Sequence, residues 1–243
     1  MKQNYIQCIC RSMSGIGTIV NAIAIVIGSL IGVGLSKKLA IGENKAFLQI
    51  MSGFVLVTAI QMVGTANTGV KFIIVMVSVL LGALIGELLQ LEKKTEILAK
   101  KLEFKITKKN ESKGIQAFIF ATLLFCVGPV AIVGSLQDGL KHDSTLLLTK
   151  AVVDGSFSII FASTMGIGIL FSALPILIYQ GSLTFLSQHV QTILAPHIIE
   201  SVSASGGMLL LFLSFNMLGI AKINVTNLVP SLFVAGVLAD LIW

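Results

Sequence analysis

Between residues 151 and 187 the chain runs for 37 residues with one formal charge, Asp154. A straight helix of that length would measure roughly 55 Å at about 1.5 Å per residue. The hydrocarbon core of a bilayer is only about 30 Å thick. The stretch is too apolar to coat a soluble domain and too long for one simple crossing, so it must break. Gly166 and Gly168 weaken a helix in its middle, and Pro175 removes a backbone donor. Two spans with a tight connection, or one span plus a re-entrant segment, are the expected solutions. Non-helical backbone at that depth must be covered by protein or line a watery cavity.

The rest of the chain points to the same solvent. Only 12% of its residues are charged, about half the usual share of about 25%. Those charges are clustered and leave long apolar tracts. Further spans are expected over 16–35, 46–66, 72–91, 115–136, 206–220 and 225–243, with 188–202 as an interfacial segment. The first run is too long for a cleavable signal and reads as a retained helix. The fold class is therefore an all-α, polytopic transmembrane bundle of about seven spans. Residues 13–243 form a single membrane domain, and 1–12 form an N-terminal extension.

Lysines set the orientation. Eight of them lie between 93 and 113, against four glutamates from 92 to 111, and Lys37, Lys38 and Lys45 follow the first span. Both loops are expected in the cytoplasm. That puts the N-terminus and the Gln137–Lys150 segment on the outer side. The basic loop at 92–113 suits anionic lipid headgroups. Its place beside a span accounts for the net charge of +6 without nucleic acid as a partner.

Two short sequences repeat. GSLIG at 28–32 returns as GALIG at 82–86, and both are GxxxG motifs. Gly28, Gly32, Gly82 and Gly86 would let helix backbones approach closely, against other helices or across a homo-oligomer. QMVG at 61–64 and NMLG at 216–219 each end an apolar run, which hints at an internal repeat of the kind transporters use.

Ionisable groups within a membrane are costly and usually functional. Asp154 lies one turn beyond Lys150. The pair reads either as a salt bridge at a helix end or as a proton or substrate site. Asp138 precedes His142 by four residues in the next loop. Asn21, Gln61 and Asn216 are amides within spans, and Gln180 falls in the broken region. Asp138, Lys150, Asp154, Gln180 and Asn21 make up a candidate polar pathway. Gly128-Pro129 in mid-span and Pro230 in the last span add further breaks to those at Gly166, Gly168 and Pro175.

Nothing in the sequence carries catalytic or metal chemistry. There is no GxxxxGK[ST] loop, no HExxH and no GxSxG; the three histidines are scattered, and no pair among Cys8, Cys10 and Cys126 has metal-ligand spacing with histidine support. No enzyme activity, metal or cofactor is expected. The motifs MSGIGTIVNAIAIVIGSLIG (13–32), LLFCVGPVAIVGSLQDGL (123–140), KAVVDGSFSIIFASTMGIGILFSALPILIYQG (150–181) and NLVP (227–230) closely resemble the YqgA/YdfK-like family. This is a family of bacterial membrane proteins of unknown function. The resemblance implies a multi-pass protein of the bacterial inner membrane and brings no substrate with it. Two functions are expected to compete. One is a small-solute or ion permease. The other is a non-transporting structural or sensory protein that acts through oligomerisation and lipid or partner contacts.

Overall fold

The computed structural model describes residues 15–39, 45–66, 69–95, 97, 112–126 and 128–242. The extension 1–12 and most of the basic loop 92–113 lie outside the described residues. Every regular element among the described residues is helical: α1 Ile16–Leu39, α2 Lys45–Val63, α3 Gly69–Leu88, α4 Ser112–Cys126, α5 Pro129–Lys141, α6 Thr145–Met165, α7 Gly168–Phe171, α8 Ala173–Phe185, α9 Ser187–Ile193, α10 Pro196–Leu218, α11 Val225–Leu228 and α12 Ser231–Ile242. Six stretches among them are long and apolar enough to cross a bilayer, and the bent pair α4–α5 brings the number to seven. The apolar part of α2, Gln49–Val63, is shorter.

Glycine contacts fix the directions of the helices. A Cβ on Gly28 would stand 2.4 Å from the Gly155 carbonyl oxygen, and one on Gly32 would stand 2.2 Å from that of Ile159. Gly17 meets Leu147 in the same way. Sequence numbers rise together along both helices, so α1 and α6 run parallel with their backbones almost touching. Gly82 faces Ser231, and a Cβ on Gly86 would lie 1.9 Å from the Asn227 carbonyl oxygen. There the numbers run in opposite senses, so α3 is antiparallel to the α11–α12 span. All four GxxxG glycines therefore serve contacts within the chain. α2 packs on α10, where Gly207 admits Ala59 and Met62.

Two ends follow from these pairings. The starts of α1 and α6, the turn after α5 and the start of α9 share one end, where Gly139 abuts Thr184 and Ser187. Lys71 at the start of α3 pairs with Glu200 near the start of α10 at 2.5 Å, also at this end. The opposite end holds the finishes of α1, α3 and α10. There Asn224 donates to the Glu92 carboxylate at 2.7 Å, and Glu92 N–H donates to Asn227 Oδ1 at 3.0 Å. Lys37, Lys38, Lys93 and Lys94 all fall at this second end, called the lysine end below. α2 runs from the lysine end back to the start of α3, packed on α10, although its apolar part is shorter than the seven spans.

The long apolar stretch becomes a helical hairpin, the two-span solution. α6 ends at Met165, and Gly166 turns the chain at φ +88° and ψ −165°. Residues with a side chain rarely adopt that conformation. Gly168 then packs so closely that a Cβ would lie 2.0 Å from the Gly114 carbonyl oxygen. Pro175 breaks nothing, because it sits in the first turn of α8, where an N–H has no partner within the helix. Pro129 is the first residue of α5 for the same reason, and α4 and α5 meet at a bend of 59°. Pro230 lies in the turn between α11 and α12. A further difference from expectation is that α10 begins at Pro196, so residues 196–202 of the expected interfacial segment belong to a spanning-length helix. Ser201, Ser203, Ala204 and Ser205 make that first half polar in composition, yet they are buried in helix packing, where small residues are favoured.

The outward faces are apolar. Ile19, Ile23, Ile27 and Leu30 of α1 and Ile73, Leu80 and Leu84 of α3 are all more than half exposed. In water such faces would be a liability, whereas in lipid they are the solvated surface.

Candidate functional site

The structure brings Asn21, Lys150, Asp154 and Gln180 together at the meeting of α1, α6 and α8. Asp154 lies near the middle of α6 and is buried, and Asn21 and Gln180 are fully buried. The Lys150 ammonium donates to Asp154 Oδ2. Asn21 Nδ2 donates to the same oxygen at 3.1 Å and to Gln180 Oε1 at 3.2 Å. One amide thus ties the ion pair on α6 to the amide on α8. The Lys150 ammonium also lies 5.9 Å from the centre of the Phe125 ring, in cation–π range.

This network is not satisfied from within. Asn21 Oδ1 and Gln180 Nε2 have no hydrogen-bond partner among the described residues, nor do the hydroxyls of Thr18 and Thr184. Thr18 stands one turn from Asn21 on α1, and Thr184 one turn from Gln180 on α8. These positions share helix faces, so a file of polar groups runs from the ion pair toward the end away from the lysines. Thr18 and Thr184 were not among the candidates. Their signal was the i−3 and i+4 spacing from the two amides.

Asp138 lies at the top of that file and bonds separately from the ion pair. It is fully buried on α5. Its carboxylate accepts the Gly15 N–H at 3.0 Å and the Ser144 hydroxyl at 2.6 Å. It therefore fastens the start of α1 to the α5–α6 turn. His142 ends α5 in the left-handed region, at φ 53°. Asn216 is a local clamp: its amide donates to the Ile223 carbonyl at 2.6 Å and accepts the Ile223 N–H at 2.8 Å. Gln61 faces outward.

A cavity of about 460 Å³ lies on the far side of Phe125 and Cys126. It runs from Leu91 and Thr95 at the lysine end to Gly128, Cys126 and Tyr179 at the α4–α5 break, with Thr226 and Val229 of the α11–α12 break on its wall. Its volume falls within the usual range for small-molecule sites, about 300–1,000 Å³. The walls are mainly apolar. Thr122 and Ser203 are among the lining residues, and their buried hydroxyls have no partner among the described residues. The Cys126 thiol on its inner wall is within electrostatic range of both Lys150 and Asp154. Lys150, Asp154, Asn21 and Gln180 do not line the cavity themselves; Cys126 and the adjacent Phe125 stand between it and the ion pair.

Interrupted helices around a buried charged cluster, within an apolar-faced bundle, define a polytopic helical membrane protein with a polar core. The chain belongs to the family described as a protein of unknown function (DUF554), whose model matches residues 16–240. It is 35% identical over 220 residues to the uncharacterized membrane protein YdfK of Bacillus subtilis (strain 168), covering 90% of this chain and 93% of that protein. It is 29% identical over 233 residues to the uncharacterized protein YqgA of Escherichia coli (strain K12), covering 90% and 94%. No solved structure matches it.

Proposed function

We propose that this protein is a small-solute or ion permease of the bacterial inner membrane, with its lysine end in the cytoplasm. One observation carries the reading: a cavity at two helix breaks runs from the lysine end to Cys126, next in the chain to the Phe125 that underlies the buried ion pair, and Asn21, Gln180, Thr18 and Thr184 around that pair each keep a polar atom without a partner among the described residues. A cluster built only for stability would close its own hydrogen bonds, because an unpaired buried polar group costs about 1–3 kcal/mol. The Asp138 clamp closes the opposite end, so the cavity and polar file correspond to a pathway shut on one side. Alternating access around interrupted helices at mid-membrane is a general transporter design. Lys93 and Lys94, beside the Leu91 and Thr95 end of the cavity, would meet anionic headgroups. The competing structural role drew on the GxxxG faces, and those glycines are already occupied by contacts within the chain.

Solvent access tests the proposal. Cysteines at Thr122 or Ser203, in a cysteine-free background, should react with a small membrane-impermeant reagent offered from the lysine end. Complete protection of both would mean a dry, lipid-filled cavity and would remove the permease reading.

A further inference from the structure

The polar cluster also limits what its ligand can be, an argument that rests on the permease reading. With Lys150 and Asp154 both charged, the site carries no net charge. A buried net charge is expensive, whereas a neutral arrangement is tolerated. Any ion that enters must therefore bring or displace a compensating charge. The groups left without partners are richer in donors than acceptors: the Gln180 amide NH₂ and the Thr18 and Thr184 hydroxyls can donate, and Asn21 Oδ1 can only accept. The single fixed cation, the Lys150 ammonium, is held by Asp154. α5 starts inside the bundle at Pro129, with Gly128 on the wall of the neighbouring cavity, so the positive end of its dipole faces the approach from the lysine end rather than the cluster itself.

We propose that the site takes up a small monovalent anion together with one proton. The proton goes to the Asp154 carboxylate. Neutral Asp154 then releases the Lys150 ammonium, and the anion takes its place beside Lys150, Gln180 and the two threonines. The new Asp154 hydroxyl donates to Asn21 Oδ1, which is otherwise unmatched. The site is neutral before and after: one positive and one negative charge in each state. Loss of the proton returns the carboxylate to Lys150 and expels the anion. The result is electroneutral proton–anion symport.

The groups around Asp154 fit this assignment. Its own helix supplies Lys150, α1 supplies the uncharged Asn21, and α8 supplies the uncharged Gln180. α4 supplies the Cys126 thiol, with the Tyr179 hydroxyl of α8 in range of that thiol. No second carboxylate is among them, so one proton per anion is the expected ratio.

The test uses the full chain in proteoliposomes containing a pH dye, challenged in turn with gradients of chloride, nitrate and L-lactate. Uptake of at least one anion should acidify the lumen, one proton per anion, and should not change when the membrane voltage is clamped. Anion affinity should weaken about tenfold per pH unit once Asp154 is mostly ionised. Asp154→Asn should lose that pH dependence and retain anion exchange without proton movement. Lys150→Met should abolish uptake, whereas Lys150→Arg, which keeps the charge, should retain it. Thermal unfolding of each variant separates loss of function from loss of fold. Anion uptake without protons, uptake that carries current, or no anion uptake at all would overturn the inference. In any of those cases, protein-dependent flux of a neutral probe such as urea, or labelling at Thr122, would leave the permease reading standing. Failure of those as well would end both.

Discussion

Lys150 and Asp154 stand where an isolated helix would have lipid around it, and three features make that tolerable. They neutralise each other, Asn21 donates a second hydrogen bond to the carboxylate, and the Phe125 ring lies within cation–π range of the ammonium. Removing one partner leaves a bare buried charge, which costs about 3–5 kcal/mol. Lys150→Met should therefore destabilise the protein by about that amount in detergent unfolding, and Lys150→Met with Asp154→Asn should recover most of it. Equal loss in the single and double variants would mean the two charges are not coupled. Asp138 makes a separate case. Asp138→Ala should free the start of α1, leave the Lys150–Asp154 pair in place, and raise hydrogen exchange at Gly15 and Ile16. Unchanged exchange there would show that α1 is held by other contacts.

At the scale of elements, two glycines at breaks should respond in opposite ways. Gly166 holds φ +88°, which a side chain resists, so Gly166→Ala should cost about 1–3 kcal/mol. Gly128 has an extended backbone at φ 173°, and a Cβ there would meet nothing within 4 Å, so Gly128→Ala should be close to neutral. Unfolding curves for the pair check both statements. The GxxxG glycines are less forgiving. Gly32→Leu and Gly86→Leu each drive a side chain into a carbonyl oxygen of a neighbouring helix and should prevent α1–α6 or α3–α11 docking. The expected readout is loss of folded protein at ordinary expression levels; normal yield and stability would refute the packing.

At the scale of the whole molecule, the helix directions make a prediction about sidedness. Cysteines at Thr145 and Gln188 should react with an impermeant reagent in intact cells. Those at Lys93 and Lys222 should react only after the membrane is opened. Labelling of all four from one side would break the assigned topology. The parallel run of α1 and α6 agrees with the order of the lysine loops, since each helix starts at the end away from them.

Much of the molecule was legible before its folding was known. The membrane solvent follows from the apolar tracts, and the need for a break from 37 residues with a single charge. Partners were not legible. α1 is apolar all round, with Ile19 and Ile23 toward lipid and Ile25 toward protein, so periodicity cannot separate its two faces. Asn21, Gln61 and Asn216 look alike in the sequence, yet one bridges helices, one faces outward and one clamps a turn. Asp138 and Asp154 are both acidic residues near helix ends in the sequence, and only the fold shows that one accepts from Gly15 and Ser144 while the other pairs with Lys150 and Asn21. Solvent depends on composition, which a sequence states directly. The meeting of Asn21, Asp154 and Gln180 depends on contacts 133 and 159 residues apart, and only the packing of glycine-lined helices brings those residues within hydrogen-bonding distance.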